Sequence, residues 1–327
     1  IQEKRWGFLP TSAQRFIQID YDAITYNLHY LKPNSSCLLR YGVEQTSTNT
    51  QSFIGCIADF YAHVHKLSET PSVNKMITIL TESITLDRFI RYHNGSLSTI
   101  FRPVAISTED IDVTKYSESF FYSTIDMSDE TQVDFLENTV SSFENFIAFL
   151  QNPMEVVDHT YLWDAISDDN PELIPGGVNL VIMNVPNDDI TDNIEILCPT
   201  NSYSSIKFVP ERQTFILIKQ EYFYEPVYLY SESTRGGVEI TKAFTKQSVP
   251  NNISRILDII SKTTNKYCRP MASQTSGIFS FRKNLPSIVI AELVTKSGFE
   301  VSYQIMNYKS KIIGLMVILP QIESSDI

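Results

Sequence analysis

The hydrophobic pattern of this chain changes period at Pro175, and that change limits the fold more than any other feature. Before it, apolar residues recur at three- and four-residue steps. Phe53, Ile57, Phe60, Tyr61 and Val64 form one such set, and Met76, Ile77, Leu80, Ile84, Leu86 and Ile90 form a second. Val133, Phe135, Leu136, Val140, Phe143, Phe146 and Ile147 form a third. Each set makes a stripe on one side of a helix. After Pro175 come the short runs "GVNLVIMNV", "NIEILCP", "TFILIKQ", "EPVYLYSE" and "GGVEITKAF". They are rich in Val, Ile, Phe and Tyr and bounded by Asn, Asp, Pro and Gly, as strands are. "VPNNISRILDIISKTTNKY" returns to helix, and "GFEVSYQIMNYKSKIIGLMVILP" reads as a hairpin around "NYKSK". Helices first and mostly consecutive strands after them predict an α+β fold, its helix-rich N-terminal part packed on a mixed or antiparallel sheet. We read residues 1–327 as one α+β domain with a helix-rich part at 1–106, an acidic insertion at 107–130 and a helix-and-sheet part at 131–327.

Charge narrows the range of partners. The formal net charge is −12, and it is unevenly placed. Between Pro103 and Ile206 there are 20 acidic residues against Lys115, a local charge of −19, whereas Arg235 to Lys283 carries +7. An acidic middle repels phosphate backbones and suits a basic protein surface. No apolar run approaches the roughly 20 residues of a membrane span, and "IQEKRWGFLP" is not a signal sequence. The expectation is a soluble, non-secreted protein with no membrane partner. Cys37, Cys56, Cys198 and Cys268 contain no C-x-x-C pair, which argues against a zinc site and for reduced, buried thiols.

The stretch "QTSTNTQSFIGCIADFYAHVH", Gln45 to His65, poses the question of chemistry. A nucleophile at a helix mouth gains from the positive end of the helix dipole. Ser52 stands near that mouth, where it also suits an N-cap, as does Thr50, and Ser72 suits the cap of the next helix. Cys56 lies in the second turn, the position of a small core residue.

This loop-to-helix stretch, with the later "ILIKQEYFYEPVYLY", resembles the two signature regions of ovarian-tumour-type cysteine proteases, a branch of the papain-like fold. In that family a cysteine opens the helix and a strand leads to His-Tyr. Carried over, the resemblance puts Ser52 at the nucleophile position, Cys56 at the small core position, Phe223 at the general base and Tyr224 after it. Phenylalanine accepts no proton, so a serine there has no base to activate it. The resemblance therefore implies an inactivated member. "LLRYGVEQ", "DHTYLWDAI", "NDDITDNIEILCPTNSY" and "MNYKSKIIGLMVIL" also resemble proteins of nucleocytoplasmic large DNA viruses, some grouped with early transcription factor large subunits. That resemblance implies a viral factory in the host cytoplasm, or the virion.

His159, between Asp158 and Asp164, supplies the other candidate base, and Cys56 or Ser52 with His159 has the papain-like order. Its plainer reading is a histidine near an acidic helix start. His63 and His65 face different sides of a helix, and His29 and His93 lack neighbours at ligand spacing, so no metal is expected. Asp188, Asp189, Asp192 and Glu195 lack both the calcium-hand pattern and a nuclease Glu-x-Lys, and read as a solvated turn. No phosphate-binding glycine motif is present around Gly236 and Gly237, and no cofactor is implied. Arg269, Arg282 and Lys283, interleaved with Phe279 and Phe281, are the nucleic-acid candidates. Three readings stay open: a non-catalytic protein-binding or scaffold module, an active cysteine protease or deubiquitinase using Cys56 and His159, and a transcription-factor segment contacting nucleic acid through Arg235–Lys283.

Overall fold

The strand runs after Pro175 do assemble into a sheet, together with an N-terminal strand that the helical pattern had masked. The structure is a computed structural model and describes residues 1–327 except 28–29, 45–50, 104–110, 187–192, 200–207, 233–236, 246–250, 269–286, 307–311 and 319–327. The chain begins with β1 (Trp6–Gly7), α1 (Thr11–Ile17), α2 (Tyr21–Ile24), β2 (Thr25–Tyr26), β3 (Tyr30–Leu31) and β4 (Ser36–Tyr41). Next come α3 (Ser52–Val64), α4 (Val73–Ser83), α5 (Leu86–Phe89), α6 (Leu97–Ile100), α7 (Phe120–Ser123), α8 (Glu130–Gln151) and α9 (His159–Ser167). Then follow β5 (Val178–Asn184), β6 (Glu195–Ile196), β7 (Gln213–Gln220), β8 (Phe223–Glu232), β9 (Val238–Thr241) and α10 (Asn251–Tyr267). The last elements are α11 (Ser287–Lys296), β10 (Glu300–Met306) and β11 (Ile312–Ile318).

Packing divides the chain into two compact units, one of Ile1–Glu109 with Asn138–Met271 and one of Asp110–Glu137 with Ala272–Ile327. The first unit is built on a sheet of order β1-β4-β8-β7-β5-β6, with β9 also paired to β8. β5 and β7 are parallel and the other neighbours antiparallel, so the fold is α+β with a mixed sheet. Side chains alternate along the strands and send one set to each face. Val181, Met183, Ile216, Ile218, Val227 and Leu229 meet Ala13 and Ile17 of α1 and Ile253, Ile256, Leu257 and Ile260 of α10. On the other face Phe215 of β7 stacks on Phe60 of α3, ring centroids 4.3 Å apart. Gly55 lets α3 sit this close to the chain leaving β4, since a Cβ there would lie 2.4 Å from the Glu44 carbonyl oxygen.

The second unit contains the C-terminal hairpin, with β10 and β11 antiparallel and α11 against them. The segment expected as an acidic insertion holds the single turn α7, capped by Ser119, and Phe121 packs edge-on to Phe135 of α8.

Several local expectations are corrected. The apolar stripe from Met76 to Ile90 is broken after Ser83, because Thr85 turns the chain and its hydroxyl accepts the Arg88 N–H at 3.3 Å to start α5. β4 lies inside the sheet, between β1 and β8, although it belongs to the helix-rich part. "SCLLRY" is too short to show a period, and its pairing with β8 decides its state. Cys198 and Cys268, expected as thiols, form a disulfide across 70 residues with Cα atoms 5.0 Å apart. Proximity in the fold, not spacing in the sequence, selects such a pair. Cys37 and Cys56 are free and buried. Among the described residues, no helix is long and apolar enough to cross a membrane.

Candidate functional site

Ser52, His159, Phe223 and Tyr224 are far apart in sequence, and the fold brings them to one place. Ser52 is the first residue of α3, Phe223 and Tyr224 open β8, and His159 opens α9. α3 runs against β8, and the Phe53 ring links the three elements, its centroid 5.2 Å from Tyr224 and 6.5 Å from His159. A tight turn after β7 sets the start of β8. Gln220 pairs with Phe223, Glu221 takes a left-handed φ of 53°, and Tyr222 is left 68% exposed.

At this junction Ser52 does not cap its helix. Gln51 holds the cap position without a side-chain hydrogen bond, and the Ser52 hydroxyl faces β8 instead. It accepts the Tyr224 N–H at 3.0 Å and donates to the Tyr222 carbonyl oxygen at 3.2 Å. A serine hydroxyl has one proton to give, and here it is committed to the backbone. The expected cap at Ser72 is present, accepting the Lys75 N–H. Thr50 lies outside the described residues.

Cys56 sits in the second turn, fully buried. Burial pushes its thiol well above the ordinary value, and the Asp59 and Glu225 carboxylates add to the effect. A thiol in such surroundings stays protonated at neutral pH, which is the reverse of what a cysteine nucleophile needs.

His159 is joined to β8 through Tyr224. The Tyr224 hydroxyl donates to Asp158 Oδ2 at 3.0 Å, so its oxygen is left to accept from His159 Nδ1 at 2.7 Å. That places a proton on Nδ1. Asp158 is also the cap of α9, accepting the Thr160 N–H at 2.8 Å. Asp164, the other acidic neighbour considered for His159, is buried and accepts the His93 N–H instead. Burial raises the Tyr224 hydroxyl far above its ordinary value, and the Asp158 charge raises it further.

For Asp158, desolvation is the largest influence and pushes the carboxyl up. The nearby His159 ring, its Nδ1 3.6 Å from the carboxylate, and the Thr160 N–H outweigh it and hold the group at about 2. The unfolded carboxyl therefore takes up its proton first as pH falls. Its contribution to stability, about 2 kcal/mol, is present above roughly pH 5 and is lost as the pH falls through about 4 towards 2. Acid unfolding followed by circular dichroism should show a shallower stability loss in this range for Asp158→Asn than for the wild type. Equal slopes would mean that this carboxylate is not held down in the fold.

A second polar cluster lies on the same sheet face and was not foreseen from the sequence. Asp59 of α3, 5% exposed, accepts from the Tyr228 hydroxyl at 2.5 Å, Lys242 Nζ at 2.6 Å and Thr70 Oγ1 at 3.3 Å. Asp59 within the run "IADFY" was the one available signal, a carboxylate set inside an apolar helix.

Arg269, Arg282, Lys283, Asp188, Asp189, Asp192, Gly236 and His29 lie outside the described residues. Glu195 is on β6 and accepts from Asn184 Nδ2 at 3.1 Å. His65 Nε2 is 3.0 Å from the Leu173 carbonyl oxygen. Among the described residues, no group of three His, Cys, Asp or Glu side chains could hold a metal ion. Compared with protein-family models, curated proteins and solved structures, the chain matches none of them.

Proposed function

We propose that this chain is a non-catalytic protein-binding or scaffold module, a papain-like arrangement in which the nucleophile position has become a structural fastening. One observation carries the reading. The Ser52 hydroxyl is fully buried and bonded to backbone groups on both sides of Phe223, so it clips the mouth of α3 to the start of β8. Phe223 supplies no base, and the nearby histidine is bonded to Tyr224. The acidic stretch favours a basic partner surface. The viral resemblance supports a setting in a host-cell viral factory or the virion.

The test is to incubate the native chain with an activity-based ubiquitin probe and a small thiol alkylator, beside Cys56→Ala and Ser52→Cys. Neither reagent should label the native protein. Unfolding without reductant should release two reactive thiols, Cys37 and Cys56, and reduction should raise the number to four. Probe labelling of the native chain that disappears in Cys56→Ala would replace this reading with an active cysteine protease.

A further inference from the structure

Along one sheet face of the first unit there is a place for a cation that the chain fills itself, and a similar place that the described residues leave open. Residues opposite each other in antiparallel strands share a face. Tyr228 and Tyr230 of β8 are opposite Leu39 and Cys37 of β4, and Trp6 of β1 is opposite Tyr41. Glu232 continues the Tyr228 and Tyr230 set at the end of β8.

The filled place shows how this face holds an ammonium. Lys242 Nζ is 5.2 Å from the Tyr228 ring centroid and 5.9 Å from that of Tyr41, with the Asp59 carboxylate at 2.6 Å. Two aromatic faces and one carboxylate suffice. Trp6 carries the aromatic row onward, its ring 4.7 Å from Tyr41 and 5.7 Å from Tyr230, the latter at an interplanar angle of 72°. Trp6 and Tyr230 thus form two walls of a corner. Beyond them opens a cavity of about 440 Å³ lined by Trp6, Phe8, Tyr30, Leu39, Tyr230 and Glu232. Among the described residues, no cation is paired with Glu232.

We propose that this cavity takes the ammonium group of a lysine side chain from a basic partner protein. A purely apolar side chain would suit the aromatic walls but leave the Glu232 carboxylate facing hydrocarbon. An anion would meet a carboxylate and the negative faces of the rings. An alkylammonium satisfies both parts of the lining, its stem against the rings and its charge between them and Glu232. A chain of net charge −12 would also attract a basic partner over distance. The scaffold reading is used here only for the partner being a protein.

The test is a fluorescence titration of the full chain. Of its two tryptophans, Trp6 lines the cavity and Trp163 is buried. The ligands are a blocked Gly-Gly-Lys-Gly-Gly peptide, the same peptide acetylated on the lysine, and n-butylammonium. The lysine peptide should change the emission saturably and compete with n-butylammonium, whereas the acetylated peptide should be inert. Glu232→Gln should weaken the lysine peptide about tenfold. Tyr30→Ala, at a ring 74% exposed, should weaken it several-fold without threatening the fold, which thermal melting checks for both variants. Equal binding of the acetylated peptide would make the cavity an apolar pocket and overturn the proposal. Silence towards both cations would also overturn it, and so would response to n-butylammonium alone, which would mark a free-amine site. Each of these outcomes leaves the Ser52 fastening standing, because that is read by probe labelling.

Discussion

Asp59→Ala should lower the free energy of unfolding by about 3 kcal/mol, measured by urea titration against the wild type. Removing one member of a buried ion pair costs roughly 3–5 kcal/mol because the other charge is left uncompensated. The lower end applies here, since the Lys242 side chain retains 24% exposure and can turn towards water. The loss does not stop at the lysine. Tyr228 is fully buried, and its hydroxyl would lose the acceptor that holds it at 2.5 Å. Adding Lys242→Met to Asp59→Ala should restore part of the stability, because the stranded charge is gone and the methionine stem still covers the Tyr41 and Tyr228 rings. A double variant no more stable than Asp59→Ala alone would show that the ion pair contributes nothing beyond the packing of its members.

Phe60→Ala should cost about 4 kcal/mol by the same measurement. The ring is fully buried between α3 and the sheet and lies nearly parallel to Phe215, at an interplanar angle of 12°. Truncating a buried phenylalanine loses its transfer energy and leaves a cavity that neighbouring groups fill incompletely, for a total of about 3–5 kcal/mol. Collapse is hard here, because Gly55 already brings α3 against the Glu44 carbonyl and the helix cannot move closer as one body. Phe60→Leu should cost about 1.5 kcal/mol or less, since most of the volume remains. A loss below 1 kcal/mol for the alanine variant would show that α3 is loosely seated on the sheet. The Ser52 clip at the end of the same helix would then lose the rigid support that the scaffold reading requires.

Both predictions concern the helix that carries the candidate site, and they separate what holds α3 from what α3 does. Phe60 fastens its middle to β7, Asp59 ties it to β8 and Lys242, and Ser52 clips its mouth to the backbone around Phe223. Polar groups that would be costly alone thus become specific attachments.

Much of this was legible in the sequence for a definite reason. Helical and strand periodicities are local, and burial of one face enforces them, so α3, α8, α10 and β5 to β9 could be read from their sequence pattern. The α+β class followed from their order. Ser52 at the mouth of a helix could be read from the polar start before an apolar stripe, whereas Phe223 and Tyr224, read at the end of an apolar run, open β8 instead. What the sequence did not show was set by partners distant along the chain. β4 takes its state from β8, the Cys198–Cys268 bond joins residues 70 apart, and Asp158, not Asp164, is the carboxylate that shares Tyr224 with His159. The fate of the Ser52 hydroxyl belongs to the same group. From sequence it was a cap or a nucleophile, and only the fold shows it bonded to the backbone of β8 and not to the first turn of its own helix. Periodicity reports which face of an element is buried, but a hydrogen-bond partner is chosen by three-dimensional proximity, which one-dimensional spacing does not encode.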